Sequence, residues 1–147
     1  MKTIYRILIS TVFLLPLLFV SCNEDLMETN KGETALKLKA NTTDLVLDVL
    51  NPNSNVLNFE WTTGTNNGTN AAISYQFQIT NEDSNFESGI TYELGKNTTS
   101  IVYTNETLNS VLLDSLNAKS DSVITVKARV IATVLAAGTE PQISESF

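Results

Sequence analysis

The sequence predicts an all-β fold, a β-sandwich of about seven short strands with one short helix. Several short segments alternate apolar and polar residues with a period of two, which is typical of half-buried strands. Segments rich in Asn, Gly, Pro and Thr, such as 51–55 and 62–70, separate them and favour turns. Short strands divided by turns at this spacing are typical of a sandwich.

The predicted strands follow one another along most of the chain. The clearest is 73–80, in which every second residue is large and apolar and the residues between are Ser, Gln or Thr. The same alternation, weaker in places, predicts strands over 36–38, 45–49, 57–61, 73–80, 89–94, 100–104 and 123–134. We predict that the last segment, 143–147, is a truncated strand.

One segment, 104–117, breaks the strand pattern. Its apolar residues fall at helical spacing, and Thr104 or Asn105 can cap a helix there. Glu106 suits the positive end of the helix dipole. We therefore predict one amphipathic helix of about three turns. The whole pattern is that of an immunoglobulin-like sandwich, without the Cys–Trp–Cys core of antibody domains.

The N-terminus has the features of a secretion signal. Lys2 and Arg6 give a positive start, and 7–20 is almost wholly apolar. That stretch is too short to cross a bilayer core, which takes about 20 residues. Ser21 then precedes Cys22, and this order resembles the lipobox of bacterial lipoproteins, which are cleaved before the cysteine. We predict a lipoprotein signal peptide over 1–21; the alternative is an ordinary signal peptide with a chance cysteine.

Cys22 is the only cysteine, so the chain cannot form an internal disulfide. Attachment of acyl chains to its sulfur would account for it and would anchor the protein to a membrane. The acidic residues that follow, within 22–34, predict a flexible acidic tether. They resemble the export signal that sends lipoproteins of Bacteroidota to the outer face of the outer membrane. Retention on the inner leaflet is the alternative.

The composition narrows the function. Without residues 1–21 the chain has 7 Lys and Arg (9 minus Lys2 and Arg6) against 16 Asp and Glu, a charge of −9, which argues against nucleic-acid binding. The absence of histidine removes the commonest general base and metal ligand. A carboxylate pair, such as Asp48 and Glu60, is the remaining catalytic option. These two residues are more simply explained as outward-facing residues of strands. We predict no enzyme activity, cofactor or metal.

The order of five segments resembles a known family. Residues 45–62 and 73–80 precede the loop 85–88, the helix 108–116 and the strand 126–133. In this order they resemble the N-terminal domain of SusE-like outer-membrane lipoproteins, from the glycan-uptake systems of Bacteroidota. The resemblance covers 22–147, and we assign 35–147 to the domain and expect its last strand to be truncated.

The resemblance implies an immunoglobulin-like domain held by lipid at the cell surface. Its partners would be a TonB-dependent porin and that porin's glycan-binding lipoprotein. In full-length members, later domains bind the glycan, so the family's glycan-binding residues have no counterpart here. We therefore expect an accessory spacer or docking component of a polysaccharide uptake system. A direct weak glycan-binding module and a generic adhesion or structural lipoprotein are the alternatives.

Direct glycan binding would need exposed aromatic rings. The alternation places Trp61 and the rings of 73–80 in the core, where large rings bury most area. Phe86 lies in a predicted loop and is the ring we expect to be most exposed. Tyr92 and Tyr103 are weaker candidates, expected in the core with their hydroxyls reaching solvent.

Overall fold

The computed structural model describes residues 34–147. The predicted signal peptide 1–21, Cys22 and the tether up to residue 33 lie outside the described residues.

Seven strands form two antiparallel sheets, which confirms the predicted fold class. The first sheet has three strands in the order β1-β2-β5, and the second has four in the order β4-β3-β6-β7. Compared with the constant-type immunoglobulin arrangement, the fourth strand pairs with the third strand instead of joining the first sheet. The strands are β1 Leu38–Ala40, β2 Asn55–Trp61, β3 Ile73–Asn81, β4 Ile90–Lys96, β5 Ser100–Thr104, β6 Val126–Val134 and β7 Gln142–Ile143.

The helix lies between β5 and β6. α1 covers Asn105–Ser110 and is followed by a π-helical turn, Val111–Ser115, so the α-helical part is shorter than predicted. Thr104 is the cap: its hydroxyl accepts a hydrogen bond from the Thr107 N–H (3.2 Å), and its own N–H donates to the Thr107 hydroxyl (2.8 Å). Leu108 and Leu116 are buried against the core, as their spacing predicts.

Aromatic rings from both sheets meet in the core. Trp61 of β2 stacks on Phe77 of β3 with centroids 6.2 Å apart, and Phe59 meets the same ring at 5.0 Å. Offset and tilted pairs of this kind add to the energy of area burial. They link β2 of the first sheet to β3 of the second.

The chain enters and leaves the sandwich at opposite poles. Leu38 pairs with Trp61 and Ala40 with Phe59, so β1 starts at the end of β2. We call this end, with the loops 62–72, 97–99 and 135–141, the N-terminal pole. At the other end, Phe147 exchanges backbone hydrogen bonds with Ala128, near the start of β6. This C-terminal pole carries α1 and the loops 42–54, 82–89 and 116–125.

The predicted strand over 45–49 is wrong. The pairing of β1 ends at Asn41, whose side-chain oxygen accepts the Asn58 N–H (2.8 Å). Beyond it the chain leaves the sheet and is bound by the helix start instead. The Asn105 side chain accepts the Asp48 N–H and donates to the Asn51 carbonyl, both at 2.8 Å. These bonds satisfy a loop backbone that no neighbouring strand pairs.

Candidate functional site

The three aromatic candidates lie in different surroundings. Tyr103 is 3% exposed and its hydroxyl is buried, so the expectation that this hydroxyl reaches solvent is wrong. Burial raises the pKa of the hydroxyl well above the usual range, and Tyr92 adds to the effect. Tyr92 is half-buried and packs between Tyr103 and Phe77, at centroid distances of 6.4 and 6.3 Å. Neither ring therefore presents a free face on which a sugar could stack.

Phe86 lies on the outer face of the four-stranded sheet. It is half-buried, in a 3₁₀ turn over Phe86–Ser88 that follows β3. The expectation that it is the most exposed ring is therefore wrong, since Phe147 is 42% exposed. The Arg129 guanidinium carbon lies 4.1 Å from the ring centroid, and the Lys127 Nζ lies 5.6 Å from it. Both distances are within cation–π range. The ring is thus fixed beside two cations of β6.

The turn that carries Phe86 is held against β3 by short-range contacts. The Asn85 side-chain oxygen accepts the Ser88 N–H (3.1 Å), and the buried Thr80 hydroxyl donates to the Asn85 carbonyl (3.3 Å). Gly89 packs so closely on β3 that a Cβ there would meet the Ile79 carbonyl oxygen and the Thr80 Cβ. The absence of a side chain at Gly89 allows this close approach.

Polar side chains continue from Phe86 across three strands. The Arg129 Nε donates to the Gln78 Oε1 (2.8 Å), and the Gln78 Nε2 donates to the Thr91 hydroxyl (2.9 Å). Two residues before Gln78 in β3, the Gln76 Nε2 donates to the Glu93 Oε1 (2.6 Å). We call this surface the outer polar face; it comprises Gln76, Gln78, Phe86, Thr91, Glu93, Lys127 and Arg129.

Sequence reasoning missed the outer polar face. The alternation with core residues predicts that four of these side chains face outward: Gln76, Gln78, Lys127 and Arg129. Their grouping depends on the register, which places Gln78 opposite Arg129 in β6 and opposite Thr91 in β4. A sequence pattern does not specify that register.

A second surface feature is the loop 45–50 at the C-terminal pole, which we call the apolar loop. Val46, Val49 and Leu50 are 91%, 88% and 85% exposed, and Leu45 is 37% exposed. Only Leu47 of this loop packs against the core. Neighbouring apolar side chains left in water at this level are typical of an interaction surface.

Acidic residues adjoin the apolar loop. Asp44 and Asp48 lie in or beside it, and the Glu106 N–H donates to the Pro52 carbonyl (3.0 Å), which brings the start of α1 against the same loop. No Lys or Arg occurs in 40–95 or in 97–118. The loop is therefore an apolar patch with an acidic surround.

The two carboxylates considered for catalysis form hydrogen bonds or an ion pair with neighbouring residues. Hydrogen bonds from Asn51 and from the Leu50 N–H lower the pKa of Asp48. Lys39 pairs with Glu60 at 3.0 Å and lowers its pKa, as does Asn58. Both carboxylates are thus ionised partners of nearby donors.

An open groove of about 340 Å³ lies at the C-terminal pole, and its lining includes Asn81, Glu82, Asp83, Asn117 and Thr125.

Within residues 34–147, no group of three or more Cys, Asp or Glu side chains is arranged to hold a metal ion. In the same part of the chain, no helix is long and apolar enough to cross a bilayer.

The domain is thus a two-sheet β-sandwich that carries an outer polar face and an exposed apolar loop. The family model described as SusE outer membrane protein matches residues 23–131, well over half of the chain. The chain belongs to the SusE outer membrane protein family, which confirms the family predicted from the sequence and places the protein in the outer membrane. No curated protein and no solved structure is significantly similar to it.

Proposed function

We propose that this protein is a surface-exposed lipoprotein and an accessory spacer or docking component of a SusCD-type polysaccharide uptake system. Cys22 is its lipid anchor, after removal of residues 1–21. Its partners are a TonB-dependent porin and that porin's glycan-binding lipoprotein. Membership of the SusE family supports the setting. The apolar loop is the observation that supports docking, and the proposal includes no catalytic step.

The position of the apolar loop suits a docking role. A tether from Cys22 joins the domain at the N-terminal pole, whereas the apolar loop lies at the other end of the sandwich. The nine residues of β3 span about 30 Å, so the loop can stand at least that far from the anchor. A partner that projects from the membrane can meet the loop at this height.

Burial of the loop gives a sufficient driving force. Each Val or Leu side chain contributes roughly 1.5–3 kcal/mol when it moves fully from water into an apolar site. Val46, Val49 and Leu50 together can therefore contribute the apolar centre of a larger interface. Because the surround is acidic, the complementary surface is an apolar socket flanked by Lys or Arg.

Mass spectrometry and protease accessibility test the anchor and the surface exposure. Mass spectrometry of the processed protein is expected to find acyl chains on Cys22 at a new N-terminus, and added protease is expected to degrade the protein on intact cells. An unmodified Cys22 thiol, or a protein freed in soluble form, contradicts the anchor.

Co-purification of the porin and its lipoprotein from solubilised membranes tests the docking role. The variant Val46→Asp/Val49→Asp removes the apolar anchors from an exposed loop and is expected to lose the partners. Leu135→Asp changes an apolar residue that is 50% exposed at the N-terminal pole and is the matched control. Equal recovery with both variants contradicts docking through the loop. Recovery of no partner by the unchanged protein favours a generic adhesion or structural lipoprotein.

The outer polar face supports a second candidate function, direct weak glycan binding. Its amide and hydroxyl groups can bond sugar hydroxyls, and the Phe86 ring adds an apolar surface. Retarded migration of the protein in gels containing a polysaccharide would support this function. Unretarded migration across a panel of polysaccharides would leave the docking role alone.

A further inference from the structure

Two cations lie together on the outer polar face. Lys127 and Arg129 occupy successive outward positions of β6, and both approach the Phe86 ring. Among residues 34–147, Lys39 and Glu60 form an ion pair, but no carboxylate lies within ion-pair distance of Lys127 or Arg129. Like charges side by side repel each other. An anion bound between the two side chains would offset this repulsion.

The Arg129 guanidinium is also fixed in orientation. Its Nε donates a hydrogen bond to Gln78, and its guanidinium carbon lies 4.1 Å from the centre of the Phe86 ring. Thr91 in turn fixes the Gln78 amide. The two terminal nitrogens of the fork remain for a ligand, and a planar fork of this kind matches the oxygens of a carboxylate or sulfate. Fixing a donor before binding reduces the entropy lost on binding.

We propose that the outer polar face binds a saccharide that carries an oxyanion, a carboxylate or a sulfate. The terminal nitrogens of Arg129 hold the oxyanion, and Lys127 adds a second positive charge. Gln76 and Thr91 bond the neighbouring hydroxyls. Glu93 repels the oxyanion from the β4 side, so the charged group lies over β6. This inference rests on the glycan-binding candidate above and names its ligand class.

Affinity electrophoresis of the detergent-solubilised full chain tests the site. The probes are polygalacturonate for the carboxylate, dextran sulfate for the sulfate, and dextran as the neutral polymer. We expect retardation by one or both acidic polymers, little by dextran, and weaker retardation as salt is raised from 50 to 300 mM. The acidic polymer that retards more strongly identifies the oxyanion.

Three variants assign the effect to residues. Arg129→Gln is expected to weaken binding of the acidic polymer by at least about tenfold, because bonds to a charged donor are lost. Lys127→Gln leaves the Arg129–Gln78 bond intact, so it keeps the fold and is expected to weaken binding less. Lys96→Gln removes one positive charge at the other end of the sheet and is the matched control, with no expected change.

The outcomes separate this inference from glycan binding as such. Retardation by dextran equal to that by the acidic polymers, unchanged in Arg129→Gln, keeps glycan binding and overturns the oxyanion site. Equal weakening by Lys96→Gln and Lys127→Gln also overturns it, since general charge would then be the cause. Retardation by none of the three polymers overturns both.

Discussion

Replacement of Asn105 by Ala tests how the apolar loop is held. Asn105 is 4% exposed, and its side chain makes two hydrogen bonds, from the Asp48 N–H and to the Asn51 carbonyl. Each bond contributes about 1 kcal/mol, and each orphaned partner adds a desolvation cost where water does not replace the amide. We therefore expect Asn105→Ala to lower the free energy of unfolding by about 2–3 kcal/mol.

Urea unfolding followed by tryptophan fluorescence measures this loss, because Trp61 is the only Trp and lies in the core. For a domain of this size the loss corresponds to a fall of about 8–12 °C in Tm. Asn109→Ala, an exposed residue one turn later in α1, is the control and is expected to change stability by less than about 0.5 kcal/mol. Equal losses in the two variants would refute the assignment of Asn105 as the residue that holds the loop.

Three further predictions concern the core, the Phe86 turn and acid stability. Trp61→Ala is expected to cost about 3–5 kcal/mol in urea unfolding followed by circular dichroism, since the fluorescent probe is removed. Trp61→Phe is expected to cost less than about 1.5 kcal/mol, because it keeps a ring and removes a buried indole N–H that has no hydrogen-bond partner; similar costs would contradict this. Gly89→Ala is expected to lower the free energy of unfolding by about 1–3 kcal/mol, because the added Cβ would collide with β3. Gly68→Asn, at φ +69° in open space, is expected to leave stability nearly unchanged. Thermal melts that rank the two variants in the opposite order would show that the close approach at Gly89 is unimportant. The folded pKa of Asp48 is below its unfolded value of 3.8, so its contribution to stability is present above that pH and is lost as the pH falls further. The stability difference between the unchanged protein and Asp48→Asn should therefore shrink on acidification. A difference independent of pH would contradict the assignment.

Local patterns predicted most of the fold. The strict alternation in 73–80 gave a strand with its large side chains in the core, and the helical spacing after Thr104 gave the helix and its cap. These features depend on residues close in the chain. The aromatic core followed from the same alternation, because large rings on the inner face have only the opposite sheet to pack against.

The failures involve partners far apart in the sequence. Residues 45–49 alternate like a strand, but whether they pair depends on Asn105, which lies 57 residues from Asp48. The outer polar face likewise needs Gln78 and Arg129, 51 residues apart, to meet across the sheet. Phe86 was correctly expected in a loop segment, but its contact with Arg129 was not readable from either segment alone.

Site-specific cross-linking in living cells tests the docking claim most directly. A photoreactive residue at Val49, in the apolar loop, is expected to form a covalent adduct with the porin or its glycan-binding lipoprotein. The same residue at Leu135, at the N-terminal pole, is expected to form none. Adducts of equal yield from both positions, or none from Val49 while the three proteins co-purify, would contradict docking through the loop.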